Sequence, residues 1–221
     1  LYRHAEAAAR GDAGVCGLRL YVDRGNARAQ AIYRHLAPPD LAATARPRRD
    51  LLAETARHYV TVNAVQTTRG CAHGCRYCSV TAFHCRTYRR RPLEDVLAEL
   101  RSIGREMIFV DDNIIADPGY ARSLFRAMIP LGKRWVSQSS IRIADDSSLL
   151  ELAWLAGCRG LFIGIETLNP DNLAGMDKAF NDSGGYPERI RRIRRQGIGI
   201  IAGIIVGMDA DDPAVFGRAL R

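Results

Sequence analysis

Thr61-Val-Asn-Ala-Val-Gln-Thr-Thr-Arg-Gly-Cys71-Ala-His-Gly-Cys75-Arg-Tyr-Cys78 decides how this chain is read. A strand-like stretch runs to Thr68 and then breaks into three cysteines spaced C-x3-C-x2-C. Thiolates hold iron–sulfur clusters, and a cubane of four irons normally takes four of them. Three ligands in one loop leave the fourth iron with a position where a small molecule can chelate. A structural zinc site is the competing reading, with His73 or His84 as the fourth ligand. Zinc sites usually draw on two separated ligand pairs, and the sequence holds no second C-x2-C or H-x3-H pair. The spacing therefore favours the cluster. Six cysteines with three of them in one loop do not make the framework of a secreted disulfide protein.

Working outward from the loop, the 221 residues are 47% hydrophobic, enough for one good-sized core and a small appendage. The longest apolar run, Gly197 to Met208, is too short to span a bilayer. No signal peptide is visible, although the chain opens on Leu1, so that absence excludes little. An oxygen-sensitive thiolate site points to a reducing cytoplasm. The net charge of +8 invites a nucleic-acid reading, but 32 basic residues include only two lysines, Lys133 and Lys178. Such an arginine bias is spread over the whole chain. The densest run, Glu188 to Arg195, places Ile190 and Ile193 on one helix face with arginine around the rest, a solvated outer helix. No clear nucleic-acid surface follows. Arg89-Arg90-Arg91, just after the cysteines, is either a contact for an anionic substrate or a solvated lead-in to a helix.

From about residue 58 apolar runs alternate with amphipathic stretches. Strands are expected near Tyr59–Thr67, Met107–Asp111, Arg134–Ser139, Gly160–Ile165 and Gly199–Val206. Helices are expected from Pro92, over Gly119–Ile129, Ser147–Ala156 and Pro187–Gln196, and from Pro213. Apolar strands separated by helices imply a parallel α/β sheet covered on its outer face. In such barrels chemistry gathers at the carboxyl ends of the strands. Polar residues collect there: the cysteine loop, Asp111-Asp112-Asn113, Ser137-Gln138-Ser139, Glu166-Thr167 and Gly207-Met208-Asp209. Each group taken singly is also ordinary turn and helix-cap chemistry.

The loop resembles the radical SAM superfamily, whose signature is C-x3-C-x-Φ-C with an aromatic Φ, here Tyr77. The resemblance spans about residues 58–221 and implies a partial (β/α) barrel, read as truncated after its fifth strand where the family typically has six. It implies a [4Fe-4S] cluster on Cys71, Cys75 and Cys78. S-adenosylmethionine would chelate the open iron, be cleaved reductively, and yield a 5′-deoxyadenosyl radical that abstracts hydrogen from a substrate. The implied cofactor contacts are Tyr77 near adenine and Asp111, Asp112 and Asn113 at the methionine amino group. Gln138 and Ser139 match ribose or carboxylate contacts, Glu166 the ribose hydroxyls, and Gly203, Ile205 and Gly207 the G-x-I-x-G segment beside adenine. The two glycines of the family's Gly-Gly-Glu-like segment are replaced by the carboxylates Asp111 and Asp112, and Ala210 stands where a later Glu is usual. Lys178 and Asn181 follow the fourth strand and either reach the rim or lie in a solvated loop. No acid–base pair is required for the radical step. The implied partners are a reductant such as a flavodoxin or ferredoxin and a small-molecule or lipid substrate.

Val65–Cys71, Phe109–Asn113 and Gly203–Asp209 are similar to the branch that usually carries a cobalamin-binding domain, many of whose members are methyltransferases. The cobalamin loop D-x-H-x-x-G is not in the sequence, so a methyl-cobalamin step has no support from it. Residues 1–36 resemble the closing strand and helix of GNAT acetyltransferases, with Asn26 matching a coenzyme A contact and Tyr33 the general acid. The pyrophosphate-cradling loop of that fold is absent. For these residues a small α/β fragment packed beside the barrel is the preferred reading; for the function of the chain the alternatives to radical chemistry are an acetyltransferase fragment and a zinc-binding module. Residues 37–57, with Pro38, Pro39 and Pro47, read as a linker.

Overall fold

The computed structural model describes residues 40–52, 58, 63–84 and 86–219. The expected acetyltransferase-like strand and helix in residues 1–36 lie outside these residues, as do residues 59–62 of the first expected strand. The chain divides into two units, Leu1–Val62 and Asn63–Arg221. In the first, two short 3-10 turns, Leu41–Ala43 and Arg49–Leu52, occupy part of the stretch read as a linker. Asp40 starts the earlier turn by accepting from the Ala42 amide at 3.0 Å.

The second unit contains strands β1 (Ala64–Val65), β2 (Thr68–Arg69), β3 (Arg89–Arg90), β4 (Glu106–Phe109), β5 (Arg134–Ser139), β6 (Cys158–Glu166) and β7 (Gly199–Ile204). Its helices are α1 (Ser79–Phe83), α2 (Leu93–Ser102), α3 (Pro118–Met128), α4 (Ser147–Leu155), α5 (Pro170–Gly175), α6 (Tyr186–Arg195) and α7 (Val215–Ala219). A five-stranded sheet has the order β1-β4-β5-β6-β7 with every pair parallel. The parallel α/β sheet expected from the alternation is present, and the partial barrel that the resemblance implied is the fold. The expected elements appear with shifts of a few residues, the last helix starting two residues after Pro213. Pro92 is the cap that precedes α2 rather than its first helical residue.

Side chains alternate across the sheet as a period of two requires. On one face Met107, Phe109, Trp135, Leu161 and Ile163 pack with Val96, Leu100, Leu124, Phe125, Leu149 and Ile193 from the helices into one core. Trp135 sits at its centre, stacked on Phe125 and edge-on to Phe109, with both ring centroids at 5.3 Å. Its indole N–H donates to the Ala156 carbonyl at 3.0 Å. The other face carries Ile108, Val136, Phe162 and Ile201, all exposed, Ile201 to 68%. Register makes Val136 the neighbour of both Ile108 and Gly160, and Phe162 the neighbour of both Gln138 and Ile201.

Helix starts follow local chemistry. Asp117 accepts from the Tyr120 amide and Asp146 from the Leu149 amide, both at 3.0 Å. In α6 the buried Ile193 and half-buried Ile190 face inward, while Arg191 and Arg192 pair with Glu188 in solvent. This is the solvated outer helix expected for the arginine run. Among the described residues no helix is long and apolar enough to cross a membrane.

Trp135→Ala should lower stability by about 3–5 kcal/mol, because it removes a fully buried ring whose neighbours cannot all collapse into the space. Urea unfolding of the variant beside the parent chain measures this.

Candidate functional site

The cysteines lie in an excursion from the main sheet. After β1 the chain enters β2, which pairs antiparallel with β3, Thr68 opposite Arg90 and Arg69 opposite Arg89. This ribbon closes the loop that carries Cys71, Cys75 and Cys78. Gly70 makes the turn into it at φ +86°, where a Cβ would stand 2.1 Å from the Thr87 carbonyl oxygen. Only glycine fits there. Cys75 is buried, and Cys71 and Cys78 are half-buried.

The three thiols share one electrostatic environment. Burial pushes Cys71 upward, and the charge of Cys78 adds to it, while the His73 backbone and the Asn113 side chain pull back. Burial also pushes Cys75 upward against the opposing charge of Lys178, and Cys71 and Cys78 both add to the rise. Among the described residues no three His, Cys, Asp or Glu side chains converge as ligands of a single ion. The two histidines weighed as zinc ligands have other company. His73 stacks on Phe180 at 4.2 Å, and the His84 ring lies 3.3 Å from an Arg89 nitrogen.

One flank of the loop is held by the end of β4. Asp111 is fully buried and accepts from the amides of Thr67 (3.1 Å) and Thr68 (2.5 Å) and from their hydroxyls at 2.7 and 2.6 Å. The carboxylate expected at the methionine amino group is thus closed off from solvent, with one of its oxygens fully engaged by the chain itself. Asp112 accepts from the Gly70 amide at 2.9 Å. Asn113 accepts from the Ser140 amide at 3.1 Å, tying β4 to β5 beside Cys71.

The opposite flank is held by β6 and the segment after α5. Arg76 donates its amide to the Met176 carbonyl at 3.0 Å. Tyr77 donates its hydroxyl to Glu166 Oε1 at 2.8 Å. Lys178 donates to the same carboxylate oxygen at 2.5 Å and to the Gly164 carbonyl at 3.2 Å, with its Nζ 3.1 Å from the Tyr77 hydroxyl. Burial raises the Tyr77 phenol, and its bond to Glu166 raises it further. Gly164 makes room for the pair, since a Cβ there would stand 2.1 Å from Glu166 Oε1. Asn181, buried, donates to the Gly164 carbonyl at 3.1 Å. Lys178 and Asn181 therefore reach the rim, one of the two outcomes left open for them.

The remaining expected residues divide. Gln138 is exposed on the open face of β5, whereas Ser139 is buried and donates to the Ser140 carbonyl at 3.1 Å. Gly203 lies on β7 with room only for the Phe162 ring, at 3.2 Å from a Cβ placed there. Ile205 and Gly207 fall beyond the end of β7. The Ile205 amide donates to the Glu166 carbonyl at 2.6 Å. Gly207 has nothing within 4 Å of a built Cβ, so its φ of +87° and not close approach is what calls for glycine. The three arginines are engaged within the fold: Arg91 with buried Glu99 at 2.7 Å, Arg90 with Asp117 at 2.8 Å, Arg89 beside His84. Neither alternative weighed for them describes Arg91, which is buried. Sequence reasoning missed Thr67 and Thr68 as partners and the docking of Phe180 on His73. Only the tandem hydroxyls ahead of Cys71 could have signalled the first.

Comparison with known proteins gives the family and the fold. A family model described as the Radical SAM superfamily matches residues 65–217. The chain is 30% identical over 188 residues to the bacteriochlorophyllide d C-12(1)-methyltransferase of Chlorobaculum tepidum, covering 82% of this chain and 40% of that protein. It is also 30% identical over 173 residues to the hopanoid C-2 methylase of Rhodopseudomonas palustris, covering 73% and 32%. The chain thus spans well under half the length of these relatives. A match of 27% identity to an uncharacterized methyltransferase of Synechocystis covers 95% of the chain, so it reaches into the segment read as acetyltransferase-like. That reading gains no support. Among solved structures, the cobalamin-dependent S-adenosylmethionine radical enzyme OxsB superposes with a TM-score of 0.70 at 16% identity, covering 80% of this chain and 28% of its own. The radical S-adenosylmethionine methyltransferase TsrM from Kitasatospora setae gives 0.62 at 21%, covering 72% and 33%. At these identities the likeness is one of fold.

Gly70→Ala should destabilise the loop by more than about 1 kcal/mol, since it adds backbone strain to a collision with the Thr87 carbonyl. Faster proteolytic cleavage between Thr68 and Arg90, at an unchanged far-ultraviolet circular dichroism spectrum, would register it.

Proposed function

The chain belongs to the radical SAM superfamily, and on that premise we propose that it forms the core of an enzyme that cleaves S-adenosylmethionine reductively and starts radical chemistry leading to methyl transfer. The observation that carries this reading is the trio of thiols in one loop, gripped on two flanks, at the carboxyl ends of parallel strands. The donor set fits a [4Fe-4S] cluster: three sulfur ligands, mutual charge coupling, and a lysine cation that eases the negative charge on Cys75. Cys71, Cys75 and Cys78 would hold it. When bound, the cluster supplies one electron to the sulfonium of S-adenosylmethionine, whose carbon–sulfur bond then breaks.

The chain's own residues orient and shield. Glu166, with Lys178 and Tyr77 already on one of its oxygens, keeps the other to accept from ribose hydroxyls. Gln138 offers an exposed amide on the open face, and Gly203 keeps that face low beside Phe162. Asp112, Asn113 and Ser139 frame the rim, and Ile205 and Gly207 continue it past β7. The open face is apolar at Ile108, Val136, Phe162 and Ile201, which favours an apolar acceptor. The printed names of two relatives, a hopanoid methylase and a bacteriochlorophyllide methyltransferase, point the same way. A flavodoxin or ferredoxin would supply the electron in the cytoplasm, and the core would begin near residue 58. No residue of this core is assigned to cobalamin.

Anaerobic purification should give a brown protein containing iron and sulfide, and Cys75→Ala should lose both the colour and the cleavage of S-adenosylmethionine. Undiminished cleavage in that variant would refute the assignment. Lys178→Met should keep the colour and raise the KM for S-adenosylmethionine about tenfold, because Glu166 loses the charge-assisted bond that fixes it toward the ribose.

A further inference from the structure

We infer that Asp111 is a positioning residue for the cysteines, one half of a buried two-sided clamp on the segment that leads into them; this rests on the cluster reading above. Register explains why Asp111 is there. Ala64 lies beside Ile108 and Val65 beside Phe109, so two residues further on Thr67 lies beside Asp111, where β1 has ended and β2 begins. The carboxylate gathers both amides and both hydroxyls of Thr67 and Thr68. The carbonyls of the same stretch go to Arg91. Its amide donates to the Thr67 carbonyl and its guanidinium to the Gln66 carbonyl, each at 2.8 Å. That guanidinium is fixed in turn by buried Glu99 at 2.7 Å. Tyr120 adds a bond from its hydroxyl to the Arg91 carbonyl at 2.9 Å.

An anion thus takes the N–H groups of residues 67–68, while Arg91 takes the carbonyls opposite, its guanidinium cation that of Gln66 and its neutral backbone amide that of Thr67, with Asp111 and Arg91 both out of water. Charge-assisted bonds in a buried setting are stronger and shorter than neutral ones. A strand end that would otherwise fray is held rigid three residues before Cys71. The direction in which the loop leaves the sheet, and hence where the three sulfurs point, depends on this grip. Groups hydrogen-bonded to a metal's ligands typically matter about 10–100-fold for its retention, and Asp111, which acts one link further out through Thr67 and Thr68, belongs at the lower end of that range.

The test uses the whole chain, reconstituted with iron and sulfide without oxygen and then challenged with a chelator. Asp111→Ala should keep the parent's helical circular dichroism yet release iron about tenfold faster, with a changed electron paramagnetic resonance spectrum of the reduced protein. Asp111→Asn, which keeps the shape and one acceptor oxygen, should recover most of the retention. Parent-like iron release and spectrum in Asp111→Ala overturn the inference, as does an Asn variant no better than the Ala one. If Asp111→Ala does not fold, Thr68→Val and Thr68→Ser decide: faster loss in the valine variant alone supports the clamp, and equal retention overturns it. A parent chain that takes up no iron and sulfide would instead sink the functional reading, which separates the two failures.

Discussion

A buried carboxylate surrounded by four donors from two consecutive threonines governs the geometry at the head of this barrel. Burying a charge is costly unless hydrogen bonds replace its lost water, and here the chain that leads to the cysteines supplies them. The cost and its compensation tie β4 to the exit of β1. Burial holds the Asp111 carboxyl above the usual carboxylate range, while the bonds from Thr68 and Thr67 draw it back. The loop is therefore anchored at its root by electrostatics and not by apolar packing, which a short excursion of small and polar residues could not provide.

The far side of the loop has a different anchor. His73 lies flat on Phe180, Arg76 bonds the carbonyl of Met176, and Tyr77 enters a shared arrangement with Lys178 and Glu166. Segment 176–180 thus serves as a second wall. Glu166 takes a backbone φ of +67°, uncommon for a residue with a side chain, and the Tyr77–Lys178 contacts account for its being held there. Between the two walls the sulfurs meet a cation on one side and neutral or acidic groups on the other.

Strands and helices were legible in the sequence because each carries enough apolar residues to show its period. The β2–β3 ribbon was not, because strands of two residues have no period to read. The rim was legible as a set: the cysteines, residues 111–113, Gln138 and Glu166 do come to the same ends of the strands. Individual roles were less so. In Asp111-Asp112-Asn113 nothing in the letters says that the first carboxylate turns inward and the second meets Gly70. Lys178, 101 residues from Tyr77 in the chain, could be read equally as a rim or a loop residue until the fold brought the two to 3.1 Å.

The grouping of Cys71, Cys75 and Cys78 at a C-x3-C-x2-C spacing was set by the sequence, because it is a local property that survives any packing. So was the order of the longer strands and helices, which follows from apolar periodicity along the chain. The tertiary structure decided which polar groups serve the loop and which face the open side of the sheet. The reason is register. Parallel strands set side by side determine which residue meets which, and a shift of one position would turn Asp111 away from Thr67 and exchange its place with Asp112.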